Sequence, residues 1–365
     1  MGRRRRQTED TTTTTTTTST MDGGGGGGGG GMGGGGGGGG GGMGGACYVY
    51  PDSPATPGIV TPDVTFNRSI YMNGSMTMDD GNTVAIWGFN DGGGGGMGGD
   101  GMGGGGPFPS PAMRVTQGQI VHTNLSVPMM NGVHTIHHHG IEPADHADGV
   151  GHVTWDVDGA YTYQWRAMSP GTYFYHCHTN TVLHAEMGMY GALIVDPPEG
   201  PGTLVSGKAT YDSEAFWVVD EIDSSWHTLG WTAGTCGADV GLNVLNPDYF
   251  IITGVDASGS SAMNLPPISG QMRVGEKLLG RYVCAGYHPQ HVRIPSGLNA
   301  KIYISDGREL PNPVSTTGFK AISGERYDMI IEPTRSGNYI VEFDIVDWIT
   351  GEVHGTARTN VVVTN

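Results

Sequence analysis

The stretch from Gly171 to Met189 reads Gly-Thr-Tyr-Phe-Tyr-His-Cys-His-Thr-Asn-Thr-Val-Leu-His-Ala-Glu-Met-Gly-Met. The aromatic and β-branched residues at its start favour a β-strand. Because side chains alternate between the two faces of a strand, His176 and His178 are predicted to face one way and Cys177 the other. This strand can therefore contribute ligands to two metal sites, one on each face.

The residues on and around this strand have the composition of a copper site. A thiolate, imidazoles and a weak axial thioether form the ligand set of blue, electron-transferring type 1 copper. A further imidazole lies upstream, in the run His-Thr-Ile-His-His-His that begins at His134. Any one histidine alone could be an ordinary buried polar residue. Here, however, side-chain alternation along both runs sorts the ligands into the same two faces, and the ligand set is complete, so two copper sites are predicted. The type 1 site consists of His134, Cys177, His184 and Met189. The second site consists of His137, His139, His176 and His178.

The segment from Met113 to Pro197 resembles a cupredoxin domain of the multicopper oxidases. In that family, the His-x-His and His-Cys-His pairs hold half of a trinuclear cluster, which implies type 2 and type 3 copper at the second site. The spacing from Cys177 to His184 is two residues longer than the usual oxidase pattern, which bears on the shape of the ligand loop. The motifs that carry the resemblance are Ile136–Ile141, Asp148–Val150, Gly171–His178, His184–Met189 and Tyr190–Val195.

Composition narrows the class of protein. The chain has 18 Lys and Arg against 35 Asp and Glu, a net charge of −17, which argues against nucleic-acid binding and favours attraction of cations.

No apolar run is long enough for a transmembrane helix. Threonines follow Arg3–Arg6 where a secretory signal would have its apolar core. The family resemblance nevertheless favours the cell envelope, either periplasmic or extracellular.

The chain is predicted to be all-β, with two cupredoxin-like Greek-key β-sandwich domains after a disordered Thr/Gly-rich N-terminal tract. Residues 1–46 form that tract, because they cannot bury enough apolar surface to offset their ordering entropy. Its spaced methionines either capture Cu(I) or belong to an inert tether. Residues 47–198 are expected to form the copper-bearing domain, with a Gly/Met-rich insertion at 92–106. Residues 203–365 are expected to form a second domain without type 1 copper.

The second domain is similar to the copper-free middle domain of three-domain multicopper oxidases. Laying Gly337–Asp344 on Gly171–His178 puts Phe343 in the place of Cys177, so no type 1 thiolate is expected there. His288-Pro-Gln-His291 is interpreted as a structural loop pair. Two cysteines in this half leave two interpretations open, a disulfide or two buried thiols: Cys236 and Cys284.

The family's trinuclear cluster needs eight histidines, and the first domain offers four. In two-domain family members the others come from a neighbouring subunit, which implies a homo-oligomer, a trimer by analogy. Three alternatives are open: another chain completes the cluster, the site holds fewer coppers, or residues of the second domain contribute. Candidates for such a contribution are Glu342, Asp344, His288, His291 and His354.

The resemblance implies a copper-dependent oxidoreductase. A reducing substrate or a redox partner protein would deliver electrons to the type 1 copper, and Cys177 would pass them to the second site for reduction of dioxygen. Asp148 resembles an acid that assists proton delivery, and is alternatively a turn residue beside Gly149. One alternative is a cupredoxin electron-transfer or copper-binding protein without turnover. Another is a copper nitrite reductase, although His137 stands where that family has an acid.

Overall fold

In a computed structural model of the protein, the described residues are 57–92, 106–128, 130–151, 154–235, 239–258 and 268–365. The predicted disordered tract and nearly all of the Gly/Met-rich insertion lie outside these ranges, as do Cys47 and Cys236. The described chain is nearly all-β, as predicted, with α1 (Thr181–Glu186) and short 3-10 helices at Asp145–Ala147, Trp226–Thr228 and Ser296–Leu298. No helix in the described ranges has the length and apolar character needed to cross a bilayer.

The first half contains two four-stranded sheets, ordered β2-β1-β4-β6 and β3-β8-β7-β5. The pairs β1–β4 and β3–β8 are parallel, and the other neighbours are antiparallel. The strands are β1 (Val64–Thr77), β2 (Thr83–Asp91), β3 (Ser110–Thr116), β4 (Ile120–Val127), β5 (His137–His139), β6 (Gly159–Arg166), β7 (Gly171–His176) and β8 (Tyr190–Asp196).

The second half begins with a small sheet of β9 and β10, and then forms a seven-stranded and a five-stranded sheet. Their orders are β13-β12-β11-β15-β20-β17-β18 and β14-β22-β21-β16-β19. The strands are β9 (Thr203–Val205), β10 (Ala209–Thr210), β11 (Ser213–Ile222), β12 (Tyr249–Ile252), β13 (Val255–Asp256), β14 (Ile268–Arg273), β15 (Leu278–Cys284), β16 (Gln290–Arg293), β17 (Lys301–Ser305), β18 (Arg308–Ser315), β19 (Gly318–Ala321), β20 (Arg326–Ile331), β21 (Gly337–Val346) and β22 (Val353–Thr364).

The two halves repeat one topology. The order β2-β1-β4-β6 recurs as β12-β11-β15-β20, and β3-β8-β7-β5 recurs as β14-β22-β21-β16. The directions match as well, since β11–β15 and β14–β22 are parallel like β1–β4 and β3–β8. The strand pair β16–β21 therefore occupies in the second half the place of β5–β7 in the first. Each sheet takes its strands from one side of residues 197–202, and the exact domain limits stay a prediction.

Alternating burial explains why these segments form sandwiches. Along β6, Tyr161, Tyr163 and Trp165 are buried while the residues between them are more exposed, which is the period of a strand with one face in a core. Both first-half sheets contribute to one apolar cluster, and both large second-half sheets contribute to another. Burial of apolar surface between facing sheets is thus the main stabilising contribution in each half.

Strand β7 is buried along its whole length, unlike β6. Tyr173 and Tyr175 point into the first core, whereas Phe174 packs with Val218 and Val283 of the second half. A strand that is covered on both faces is held rigidly, so the residues that follow it are held in place too. This strand leads into Cys177.

Candidate metal centres

The strand pair β5–β7 positions the predicted ligands. It is antiparallel, and His137 lies directly opposite His176. The strand ends at His176 rather than continuing through His178 as predicted, but the alternation persists beyond its end. The ring of His178 lies 5.7 Å from that of His176, centroid to centroid, while Cys177 belongs to the apolar core.

The core-facing group consists of Cys177 and two histidines. The Cys177 Sγ lies 3.6 Å from His134 Nδ1 and 3.4 Å from His184 Nδ1. The two imidazole centroids are 4.7 Å apart, and all three residues are fully buried. His134 is held by a bridge to Val157, and His184 is carried by α1. The structure thus brings together three of the four predicted type 1 ligands through their donor atoms.

Backbone carbonyls orient both imidazoles of this group. His134 Nε2 donates to Asn131 O at 2.9 Å, and His184 Nε2 donates to Trp231 O at 3.0 Å. A carbonyl can only accept, so the proton of each neutral ring sits on Nε2. Each Nδ1 therefore presents its lone pair towards the Cys177 sulfur, as in histidines whose second nitrogen is fixed for metal binding.

Met189, the fourth predicted ligand, is fully buried beside this group. Its carbonyl accepts a hydrogen bond from Cys177 N at 3.0 Å, and its own N–H donates to His184 O at 3.1 Å. The preceding Gly188 has φ +100°, and a Cβ there would lie 2.7 Å from the Phe108 ring. Only glycine fits this turn, which returns the chain from α1 to Cys177.

Burial keeps the whole group uncharged. It raises the pKa of the Cys177 thiol to about 12 and lowers the pKa of His184 to about 4. Burial and the neighbouring His184 lower the pKa of His134 well below its ordinary value. The imidazoles are consequently neutral and ready to bind metal, and a metal that binds the sulfur must displace the thiol proton.

The second group lies on the opposite side of Cys177. The ring nitrogens of His137, His139 and His176 lie within 4.8 Å of one another. His178 stands beside them, with its ring 5.5 Å from that of His137. The four predicted ligands therefore share one face, and three of them form the tightest group.

Two rings of this group, those of His137 and His176, also direct their protons away from its centre, whereas His139 Nδ1 lies 3.3 Å from His176 Nε2. His137 Nδ1 donates to Asp148 O at 2.7 Å, and His176 Nδ1 donates to Cys177 O at 2.9 Å, which leaves each Nε2 as an acceptor. Burial lowers the pKa of His176 well below its ordinary value. Burial, and secondarily Arg326, lower the pKa of His139 to about 3. The imidazoles of His139 and His176 are therefore neutral, like those of the first group.

The middle histidine of the run has a different role. His138 is buried on the core side, where its Nε2 lies 2.9 Å from Thr123 Oγ1 and its ring lies 5.0 Å from that of Trp165. Strand alternation had already separated it from His137 and His139, which face the other way. It supports the strand from the core.

Asp148 contacts the second group mainly through its backbone. Its carboxylate Oδ1 is 3.5 Å from His137 Nδ1, farther than its carbonyl oxygen, and its side chain is about one-third exposed. The following Gly149 has φ +72°, and a Cβ there would lie 1.9 Å from Ile136 O. The turn is therefore tightly fitted around His137, and the carboxylate faces solvent next to it.

Both groups fit copper. Thiol sulfur with two oriented imidazoles matches the soft and borderline donors of a type 1 site, and a set of neutral imidazoles matches the other copper types.

Comparisons with known proteins agree with this chemistry. Residues 95–200 match the family model described as multicopper oxidase, and copper is the metal of that family. Copper resistance protein A of Pseudomonas syringae pv. tomato is 27% identical over 68% of this chain and 45% of its own length. The chain thus spans about half the length of that curated relative. The predicted resemblance is confirmed.

Solved structures show the same fold. A blue copper oxidase from Nitrosomonas europaea superposes with TM-score 0.63 at 24% identity, over 82% of this chain and 86% of that one. A copper nitrite reductase from the same organism superposes with TM-score 0.62 at 18% identity, over 83% and 94%. The predicted cupredoxin-like fold is confirmed by these likenesses, which do not separate the two activities.

Sequence reasoning missed one group in the second half. His288, Asp347 and His354 bring their donor atoms within 4.8 Å of one another. His288 and His291 do not form a loop pair, since His291 lies on β16. Motif spacing could not reveal this group, because His288 is far in sequence from Asp347 and His354. Cys284 is a buried free thiol.

Proposed function

We propose that this protein is a copper-dependent oxidoreductase of the multicopper oxidase type. His134, Cys177, His184 and Met189 would hold a type 1 copper, and His137, His139, His176 and His178 would hold the domain's share of a copper cluster. Bound copper supplies one-electron redox chemistry at both places. The observation that carries the proposal is that two groups of metal-binding donors lie on opposite sides of Cys177.

The peptide chain itself connects the two groups. Cys177 is bonded to His176 on one side and His178 on the other, so a short covalent path runs from the sulfur to both imidazoles. His176 Nδ1 also donates to Cys177 O, which shortens that path by one hydrogen bond. An electron donor would reach the Cys177 side, and dioxygen would be reduced on the histidine side.

Asp148 is the residue we assign to proton delivery. Its carboxylate lies on the solvent side of His137, where it can take up a proton from water and hold it next to the group. Its backbone carbonyl meanwhile fixes the proton of His137 Nδ1. The carboxylate and the carbonyl thus have separate roles, and Asp148→Asn removes only the first.

A second subunit is expected to face the histidine group. The first half supplies four histidines of the eight in the family's cluster, and the corresponding strand pair of the second half carries Arg293, Glu342 and Asp344 near its one histidine, His291. A homo-oligomer, a trimer by analogy, in the cell envelope is therefore part of the proposal. Light scattering on the copper-loaded chain measures the oligomeric state.

The decisive experiment combines metal content, visible and EPR spectra, and oxygen consumption with a phenol as electron donor. We expect a blue band, a separate type 2 signal, more copper than one ion per chain, and oxygen uptake. A blue band without oxygen uptake would replace the oxidase with an electron-transfer protein. Release of nitric oxide from nitrite would instead indicate a nitrite reductase.

The electron-transfer alternative is favoured by one observation. The second-half strand pair is occupied by ion pairs, with Arg293 Nη2 3.0 Å from Glu342 Oε2. If no other subunit supplies histidines, the group around His137 would remain incomplete. The protein would then accept and donate electrons only at the type 1 copper held by Cys177.

A further inference from the structure

The group missed by sequence reasoning combines the loop before β16 with the turn after β21 and the start of β22. His288 precedes β16, whereas Asp347 and His354 border the turn between β21 and β22. The two imidazole centroids are 4.5 Å apart, and His354 Nε2 lies 3.5 Å from Asp347 Oδ2. All three donor atoms lie within 4.8 Å of one another, so a single ion can contact all three.

The turn presents the Asp347 carboxylate in a fixed orientation. Oδ1 accepts hydrogen bonds from Ile349 N at 2.9 Å, from Thr350 N at 2.6 Å and from Thr350 Oγ1 at 3.0 Å. These hydrogen bonds lower the pKa of Asp347 to about 2 and keep it ionised. Oδ2 is left to face His354.

His288 is oriented by a buried carboxylate. Its Nδ1 lies 3.2 Å from Oε1 of Glu221, which is fully buried and also accepts from Tyr287 N and His288 N at 2.7 and 2.8 Å. Nδ1 therefore carries a proton, and Nε2 is the nitrogen available as a ligand. A carboxylate behind a histidine is the arrangement that orients imidazoles at metal sites.

The group is also accessible. The side chains of Asp347 and His354 are 25% and 23% exposed, whereas that of His288 is 6% exposed. An ion can therefore enter from solvent and keep water in its remaining positions. This group is open to solvent on one side, unlike the fully buried group around Cys177.

The position of the group in the fold explains its chemistry. His291 lies opposite Asp344 on β16–β21, as His137 lies opposite His176 on β5–β7. His288 precedes His291 by the same spacing that separates His134 from His137. In this register Ile345 corresponds to Cys177, because it follows Asp344 as Cys177 follows His176. The sequence comparison, which put Phe343 in that place, was wrong by two residues. The sulfur is missing here, and a carboxylate from the next turn is present.

We propose that His288, Asp347 and His354 form a third metal site, which binds one divalent borderline ion such as Cu²⁺ or Zn²⁺. Two imidazoles and one carboxylate suit these ions, and the absence of thiolate among the three donors predicts a colourless or weakly coloured, non-blue centre. This site is independent of the electron-transfer role proposed above. A bound ion would tie the turn between β21 and β22 to the loop before β16.

Equilibrium dialysis of the full chain against Cu²⁺ tests the proposal, with bound copper counted per chain and the blue absorbance recorded on the same samples. We expect His354→Ala to bind one ion fewer than the wild-type chain at unchanged blue absorbance. Asp347→Asn should lose the same ion. A circular dichroism spectrum equal to that of the wild-type chain shows that each variant is folded.

His146→Ala is the matched control, because His146 also lies beside an aspartate, 3.4 Å from Asp145 Oδ1, but on the exposed surface and outside all three groups. It should keep the wild-type copper count. Equal counts in His354→Ala and the wild-type chain would overturn the proposal. So would an equal loss in His146→Ala, which would indicate ordinary surface histidine binding, or a loss in only one of the two site variants.

Discussion

The strand pairs β5–β7 and β16–β21 occupy equivalent places in two sandwiches of one topology, but their outward residues differ in chemistry. On β5–β7, neutral imidazoles gather around His137. On β16–β21, Arg293 pairs with both Glu342 and Asp344, and Arg358 Nε lies 3.0 Å from Glu342 Oε1. The strands β5–β7 present imidazole nitrogens that can bind a metal ion, whereas the strands β16–β21 present carboxylates and guanidinium groups that form ion pairs with each other.

This difference teaches that side chains, and not the backbone, decide whether the position binds metal. A carboxylate whose oxygens already accept hydrogen bonds from arginine has fewer lone pairs left for a metal ion. Among the residues that the structure describes, no metal-capable group includes the carboxylates of β21. The imidazole of His288 instead points away from these ion pairs, towards the turn after β21.

Cys177→Ser should have the largest effect in the molecule. The blue absorption of type 1 copper arises from the thiolate, so we expect it to vanish completely while the fold is retained. Visible spectra of the copper-loaded variant measure this. Cys284→Ser, which removes the equally buried thiol of the second half, should keep the band. A retained blue band in Cys177→Ser would remove that residue from the site.

His137→Ala tests the comparison directly. We expect oxygen consumption to fall by at least about 100-fold, as typically follows loss of one essential catalytic group, with the blue band intact. The measurement is steady-state oxygen uptake with a phenol. His291→Ala removes the corresponding histidine of β16 and should leave turnover unchanged. A comparable loss in both variants would mean that His291 belongs to the cluster.

Asp328→Ala removes a charge that is buried between the two halves. Asp328 accepts from Thr172 N at 2.9 Å, and Arg281 Nη1 lies 3.3 Å from its Oδ1, with both charged side chains 1% exposed. Truncation leaves the Thr172 N–H without its acceptor, while Arg281 keeps Glu214 Oε2 at 3.0 Å. We therefore expect a loss of roughly 1.5–3 kcal/mol in the free energy of unfolding, the range of a hydrogen bond to a charged group. Denaturant unfolding of the metal-free chain measures it. Asp328→Asn keeps the acceptor oxygen and should lose less, and equal losses would point to packing alone.

Local sequence pattern predicted much of the first site. Alternation separates His176 from Cys177 whatever the distant fold is, and the structure brings Cys177 close to His134 and His184. Strand ends depend on pairing, so the end of β7 at His176 was not predictable from propensity. The group at Asp347 depends on a tertiary contact between the β21–β22 turn and the loop before β16. A local sequence pattern does not predict such a contact.

Glu342→Ala should have the smallest effect, although it removes a residue with two arginine partners. The side chains of Glu342, Arg293 and Arg358 are 30%, 49% and 36% exposed, so water screens their charges and solvates the arginines after truncation. We expect a loss of no more than about 1 kcal/mol in the free energy of unfolding, and less at high salt. The same denaturation experiment at low and high salt measures it. A loss as large as that of Asp328→Ala would mean that the ion pairs of β16–β21 stabilise the second half as strongly as a buried charge does.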